Sequence, residues 1–263
     1  MEILVEGLSF SYNSRPILEN IEFHLDEGEI LSILGPNGSG KTTLLKVLAS
    51  IFAPKKGTVL VDGKELKKIS AEERAKILGY VPQKSEGFDI TVFEAVLSGR
   101  KPYIGFRVKK EDIEVVEEVI RVMELSELSS RSITRISGGE FQKVIIARAL
   151  AQRPKVLLLD EPLSHLDLRN QMEIASLIRK VTKELRLVTI FVLHDINLAI
   201  RYSDLFMFLK KGQIEAFGRK EVLTRENVKR VFGVEVEIID LHGLPYFIVK
   251  EGEGYEKEWI KAQ

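Results

Sequence analysis

GPNGSGKT, residues 35 to 42, follows the apolar segment EILSIL and precedes the segment TTLLKVLAS. Its spacing fits G-x-x-x-x-G-K-[ST], the phosphate-binding loop or P-loop. Glycines allow backbone amides to close around phosphate oxygens, and the start of the following helix adds partial positive charge. Lys41 would reach the β and γ phosphates, and Thr42 would hold Mg²⁺. The sequence therefore predicts a nucleotide site whose loop residues are Gly35, Pro36, Asn37, Gly38, Ser39, Gly40, Lys41, Thr42 and Thr43.

Composition limits the classes of partner. The 263 residues include 39 basic and 39 acidic side chains, so no global field gathers phosphate backbones, and we expect no nucleic acid partner. The absence of cysteine excludes disulfides and thiolate metal sites. A hydrophobic content of 44% is ordinary for a globular domain with a core.

Neither a membrane span nor a signal peptide is expected. The longest uncharged apolar run, LVTIFVL at 187 to 193, is far shorter than the roughly 20 residues that cross a bilayer. The start, MEILVEGLSF, has an early glutamate and no basic region before an apolar stretch, unlike a signal peptide.

The periodicity of apolar residues divides the chain. The first 30 residues contain strand-like segments separated by turn residues, which favours an antiparallel sheet that leads into a buried strand, and KGTVLVDG and ILGYVPQ are further short strands. The segment KEDIEVVEEVIRVM is helical, and its predicted apolar face consists of Ile113, Val116, Val119, Ile120 and Met123. We predict a helical insert at about 88–152.

Strands and helices alternate after this insert, which predicts an α/β fold with a mostly parallel sheet. The runs VLLLD and LVTIFVL are continuously apolar, as strands covered on both faces are. Residues 1–220 then form the main domain, and 221–263 form a short C-terminal α/β appendage packed on the same domain.

Polar residues follow these two strands, where ligands of parallel sheets bind. Asp160 and Glu161 end one strand and His194 follows the other. One carboxylate could serve a metal while the other orients water. The alternatives are an acidic helix start and a histidine satisfied by its own turn.

Three further features are ambiguous from the residues alone. Gln83 could be an ordinary solvated loop residue, and Tyr12 is more typical of a core aromatic than of a platform for a base. The basic stretch GRKPYIGFRVKK, 99 to 110, is either a solvated face or a partner surface, because aromatics between basic residues suit both.

ISGGE, residues 136 to 140, places a serine and two glycines just before the helical segment FQKVIIARAL. This placement is typical of a phosphate-binding turn, yet the motif carries no lysine. By itself it is half of a phosphate site.

The order of P-loop, Gln83, ISGGE, LLLDEP, SHLD and His194 resembles the ABC-type ATPases over essentially residues 1 to 220. The family signature is usually LSGGQ, so Ile136 and Glu140 depart from it while the serine and both glycines remain. The resemblance implies a P-loop NTPase (RecA-like) core with an N-terminal antiparallel β subdomain and an inserted helical subdomain.

The resemblance also implies roles for individual residues. Two chains would pack head to tail, so that Ser137, Gly138, Gly139 and Glu140 of one close over the nucleotide of the other. Tyr12 would stack on adenine, and Gln83 would sense Mg²⁺ and the γ-phosphate. Asp160 would support the metal with Thr42, and Glu161 would be the general base. His194 would hold the γ-phosphate, and Asp167 would link the two sites.

Within this family the chain resembles the separate ATP-binding subunit of metal-chelate importers, which serve ferric siderophores, haem or vitamin B12. The segments TVFEAVLSGRKPYIG, EPLSHLD, LHDINLAIRYSD and EVLTRENVKRVFGVEVEII carry this resemblance. It implies a second copy of the chain, integral membrane permease subunits docked on 84–106 and, indirectly, an external solute-binding protein. We expect the docking surface to include Val92, Arg100 and Tyr103 and to lie at the cytoplasmic face of the cell membrane.

The alternative is a soluble ABC ATPase that acts on DNA, ribosomes or cofactor assembly. Only 96 residues separate Lys41 from Ser137, too few for the long coiled coil of DNA-repair members, and this chain has one cassette where translation members usually have two. No N-K-x-D guanine motif is present.

Overall fold

The computed structural model describes residues 2–85, 87 and 89–250. Its central sheet has six strands, all parallel except the last at one edge. In spatial order they are β10 (Gln213–Gly218), β9 (Leu205–Lys210), β3 (Ile30–Leu34), β8 (Val188–Val192), β7 (Val156–Asp160) and β6 (Leu78–Val81).

A second, antiparallel sheet is formed by the beginning of the chain, as its alternating pattern predicted. Its strands are β2 (Arg15–Asp26), β1 (Glu2–Tyr12), β4 (Lys56–Val61) and β5 (Lys64–Glu65). A C-terminal hairpin pairs β11 (Val236–Leu241) with β12 (Leu244–Val249).

Eight α-helices of the described chain surround these sheets. They are α1 (Lys41–Leu48), α2 (Ala71–Ile77), α3 (Val92–Leu97), α4 (Lys110–Val122), α5 (Gly138–Ala151), α6 (Leu168–Glu184), α7 (Ile196–Tyr202) and α8 (Arg225–Phe232). None of these helices has both the length and the apolar character to cross a membrane.

Strands β3, β7 and β8 are buried along their whole length because both faces of the central sheet are covered. Leu31 and Ile33 face a core that contains α1 and the antiparallel sheet. Ile30 and Leu34 face the other core, which contains the helical insert and the C-terminal segment. The α/β fold with a mostly parallel sheet is confirmed.

One face of the helical insert differs from the sequence prediction. In α4, Ile113 is 39% exposed, whereas Val115 and Asp112 are buried. The reason is electrostatic. Asp112 turns inward to meet Arg100, with Nε and Oδ1 3.0 Å apart, so the buried stripe includes a charge that an apolar pattern leaves out.

The segment after residue 220 packs on the larger core. Val228 and Val231 of α8 and Phe247 of β12 are buried there. Asn197 of α7 holds β12 by two hydrogen bonds to the Phe247 backbone, at 2.8 and 3.0 Å. Residues 251–263 of the sequence-predicted appendage lie outside the described residues.

Candidate nucleotide site

The P-loop connects β3 to α1 at the carboxyl edge of the sheet. Gly35 cannot be another residue without movement, since an added Cβ would lie 2.1 Å from the Leu209 carbonyl oxygen. Gly40 has a φ of 106°, in the left-handed region that favours glycine. No side chain caps α1, so its first amides are available to phosphate oxygens. The buried Ser39 hydroxyl has no hydrogen-bond partner among the described residues. A buried polar group without a partner is consistent with a site that binds a ligand.

Lys41 lies almost wholly inside the loop, with 5% of its surface exposed. Its ammonium donates hydrogen bonds to the carbonyl oxygens of Gly35 and Pro36, at 2.8 and 3.0 Å. Burial lowers the pKa of Lys41, while Glu161 and Asp160 oppose this shift. These contacts fix the cation beside the amides of the loop.

Oxygen ligands from two neighbouring elements meet beside this lysine. Thr42 donates to Asp160, with the two oxygens 3.0 Å apart, and Tyr80 donates to the other Asp160 oxygen at 3.4 Å. Burial raises the pKa of Asp160, and Glu161 adds to that shift, although both hydrogen bonds act against it. A hydroxyl beside a carboxylate is the kind of oxygen pair that Mg²⁺ binds, so these residues fit that ion.

Glu161 joins two other sequence-predicted residues. Its Oε2 accepts a 2.6 Å hydrogen bond from Gln83, and its Oε1 lies 2.6 Å from Nε2 of His194. Its φ of 50° is unusual for a residue with a side chain, and a turn in which Ser164 donates twice to the Glu161 carbonyl holds it. Gln83 follows β6 and His194 follows β8, so the carboxyl edges of separate strands converge on one carboxylate.

Tyr12 lies beside the P-loop rather than in the core. Its ring packs edge-on against Phe10 and Phe52, and 44% of its surface is exposed. It lines a cleft of about 320 Å³ together with Arg15, Ile17, residues 37, 38 and 40–43, and Glu161. The core interpretation of this aromatic is wrong, because β1 ends at the cleft and the ring faces it.

The signature residues start a different helix, α5. Ser137 caps it by accepting a hydrogen bond from the Glu140 amide at 3.3 Å, and the Glu140 carboxylate accepts one from the Ser137 amide at 2.7 Å. Hydrogen bonds to the Glu140 carboxylate from the Ser137 amide and the Ser137 hydroxyl lower the pKa of Glu140. Glu140 therefore caps its own helix.

Gly139 packs closely against α6, so an added side chain would force Asn170 to shift. An added Cβ would lie 2.6 Å from Oδ1 of Asn170, the residue that Asp167 holds by hydrogen bonds of 2.8 Å to its amide and side chain. Asp167, at the start of α6, thus lies against the signature helix. Within the described chain no hydrogen bond or ion pair joins residues 137–140 to residues 35–42.

Two of the three residues predicted on the docking surface are buried. Val92 is fully buried and Arg100 is 3% exposed, held by Asp112, the Ala151 carbonyl and the ring of Tyr103. Neither Val92 nor Arg100 can touch a partner directly, which corrects that assignment. The burial of Arg100 depends on a carboxylate 12 positions later in the chain, which composition does not reveal.

Several neighbours of the site were not found from the sequence. Arg15 and Ile17 line the cleft, Tyr80 contacts Asp160, and Asn170 contacts Gly139. Only Tyr80 carried a signal, since an aromatic hydroxyl in a buried strand needs a polar partner.

The site combines a P-loop after β3 with carboxylates at the end of β7. Gln83 and His194 lie at the ends of the two strands that flank β7. This arrangement defines a P-loop NTPase. The chain belongs to the ABC transporter family, whose model matches residues 18–164. Together with the resemblance stated above, this makes it an ATP-binding subunit of an ABC-type ATPase.

Two relatives and one solved structure show the similarity. An uncharacterized ABC transporter ATP-binding protein of Methanocaldococcus jannaschii is 48% identical over 94% of this chain and 98% of its own. The petrobactin import ATP-binding protein of Bacillus anthracis is 38% identical over 94% and 93%. A metal-chelate type ABC transporter in an inward-facing conformation matches with a TM-score of 0.82 and 31% identity, over 95% of this chain and 97% of that one.

Proposed function

We propose that this chain is the ATPase of a metal-chelate importer, and that Glu161 is its general base. The contact of one carboxylate with both Gln83 and His194, beside the Thr42–Asp160 pair, is the observation that carries this proposal. Phosphoryl transfer to water requires the protein to align a water molecule with the γ-phosphate.

Thr42 would hold Mg²⁺ and Asp160 would support the ion. Gln83 would sense the bound Mg²⁺. Bound there, the ion would neutralise charge on the β and γ phosphates. Lys41 and the P-loop amides would hold the same oxygens, His194 would hold the γ-phosphate, and Tyr12 would stack on adenine. Glu161, freed from its contacts with Gln83 and His194, would take a proton from the attacking water.

A second copy would complete each site. Ser137 and Gly138 are exposed at the start of α5, whereas Gly139 is buried, and none of the three makes a hydrogen bond to its own P-loop or carries a cation. A head-to-tail dimer with twofold symmetry brings each signature to the nucleotide held by the other chain and forms two equivalent sites. Asp167 would link these sites through the start of α6.

Metal-chelate import is supported by the relatives. One is named for petrobactin import, and the matched structure is a transporter of metal-chelate type. Permease subunits would dock on the exposed part of residues 84–106, at the cytoplasmic face of the cell membrane. An external binding protein would deliver the solute to them.

The Glu161→Gln variant tests the catalytic assignment. It keeps an acceptor for Gln83 but loses the proton acceptor, so phosphate release should fall at least about 100-fold, the scale of general base catalysis. ATP affinity should stay near that of the native protein, and light scattering should show dimers in Mg-ATP.

His165→Gln is a matched control, because His165 follows Glu161 in the same turn region and no hydrogen bond or ion pair joins the two among the described residues. A Glu161→Gln protein that remains monomeric in Mg-ATP would contradict the composite site.

Copurification from solubilised membranes with a many-span protein would support import, whereas a ribosomal or DNA-associated partner would contradict it.

A further inference from the structure

The basic loop, residues 101–110 (KPYIGFRVKK), combines positive charge with exposed apolar side chains. Its residues from Gly105 onward are all exposed. Phe106 has a relative exposure of 112% and Val108 of 41%, so both side chains face solvent where most large apolar residues of this protein do not. An apolar side chain so placed is suited to contact another surface.

The charge on the basic loop has one sign. It contains Lys101, Arg107, Lys109 and Lys110, and the chain has no carboxylate between Glu94 and Glu111. Of these four cations, only Lys110 forms an ion pair within the described residues. Its partner is Glu114 at 3.4 Å, and the two side chains are 92% and 59% exposed. Such an exposed pair is weak, so the loop keeps nearly all of its positive charge.

The loop is fixed at its base. Tyr103 donates a hydrogen bond to the Gln152 carbonyl at 2.9 Å and its ring lies under Arg100, whose guanidinium is 3.8 Å from the ring centroid. At the other end, Asp112 accepts from the Lys109 amide at 3.1 Å. Both anchors hold the loop against the helical insert and leave its tip to solvent.

We propose that the basic loop binds anionic lipid headgroups, with Phe106 inserted at the membrane interface. Lys and Arg attract an anionic leaflet, and an aromatic beside them buries apolar area at the acyl boundary. The loop overlaps the permease-docking segment 84–106 at residues 101–106 and extends beyond it, so the proposal rests on the proposed function for its membrane side.

Flotation with purified protein and vesicles tests the proposal without a permease. The protein should float with vesicles of equal parts phosphatidylcholine and phosphatidylglycerol, and not with phosphatidylcholine alone. Binding should disappear in 1 M salt, where the screening length is about 3 Å. Equal binding to both kinds of vesicle, or none to either, would overturn the proposal.

Two loop variants locate the contact. Arg107→Gln with Lys109→Gln and Lys110→Gln should weaken binding roughly 100-fold, since each cation near the surface contributes about fivefold. Phe106→Ala should weaken it severalfold. The control carries the same loss of charge at exposed positions elsewhere, in Lys180→Gln, Lys220→Gln and Arg225→Gln.

Equal effects of the loop and control triples would overturn the assignment to this loop. So would loop variants that bind vesicles normally but lose a copurifying permease, because the loop would then be a protein contact. ATP-driven dimerization of the Glu161→Gln protein is measured in a separate experiment. It tests the proposed function, and the loop substitutions should leave it unchanged.

Discussion

Tyr12 is a partly exposed aromatic residue that neighbouring rings hold at the edge of the cleft. Phe10 and Phe52 fix its ring, with centroids 4.9 and 5.5 Å away, while the rest of the ring faces the cleft. Stacking of a base on such a ring contributes about 1–3 kcal/mol. Tyr12→Ala should therefore weaken ATP binding about 5- to 150-fold by calorimetric titration, a range set by that stacking energy.

Tyr12→Phe provides the control, because it keeps the ring and loses only the hydroxyl. It should bind ATP nearly as well as the native protein. Equal affinity of the alanine variant and the native protein would show that adenine does not contact this ring.

Glu140 gives a second prediction at the residue scale. Glu140→Ala removes the acceptor of the Ser137 amide, which should cost about 1 kcal/mol of stability, as other losses of helix caps do. It should also weaken ATP-driven dimerization, since the Ser137 hydroxyl would lose its fixed orientation. ATP affinity of the isolated chain should not change.

Glu140→Gln keeps an acceptor oxygen and removes the negative charge. Dimerization by sedimentation should therefore be restored to the native level or above it. If the alanine variant dimerizes like the native protein, Glu140 has no positioning role.

Arg100 and Asp112 act at the scale of elements. Arg100 follows α3 and donates to Asp112 at the start of α4 and, at 3.0 Å, to the Ala151 carbonyl at the end of α5. Three helices of the insert thus share one guanidinium.

Asp112→Asn should destabilise the fold by about 3–5 kcal/mol in urea unfolding, the scale for a buried pair that loses one partner. The double variant Arg100→Met with Asp112→Leu should lose much less, because no charge stays buried without a partner. Equal losses in both variants would show that packing, and not charge, dominates at this position.

Acid should weaken the same contact. Burial by itself would raise the pKa of Asp112, but hydrogen bonds from the Lys109 amide and from Arg100 hold it below its ordinary value. The stability from this carboxylate is therefore complete above its unfolded pKa and is lost as the pH falls through the folded pKa. The Asp112→Asn variant should show a shallower loss of stability on acidification.

At the scale of the whole molecule, the C-terminal segment shares a core with the central sheet. Phe247 is 4% exposed and belongs to the same buried cluster as β7 and α5. Phe247→Ala should cost about 3–5 kcal/mol, and calorimetry should still show one transition because the segment and the sheet unfold together.

The neighbouring Tyr246 is a matched control, since it is 42% exposed on the same strand. Tyr246→Ala should change stability little. Two separate transitions, with the larger one unaffected by Phe247→Ala, would show that the appendage folds by itself.

Sequence alone determined the features that depend on neighbours along the chain. Apolar period and glycine spacing predict strands, helices and the P-loop, because local backbone geometry fixes which side chains share a face. The position of Asp160, Glu161 and His194 at one sheet edge also followed, since parallel strands end on the same side. Spacing also identified the signature motif, although its partner had to come from a family resemblance.

Only the tertiary structure decided which distant side chains meet. The Glu161 contacts with Gln83 and His194, the Arg100–Asp112 pair and the exposure of Tyr12 and Phe106 depend on segments brought together by packing. An apolar pattern cannot foresee that a charged Asp112 turns inward while Ile113 turns outward. A charged side chain can be buried where the fold places an opposite charge beside it.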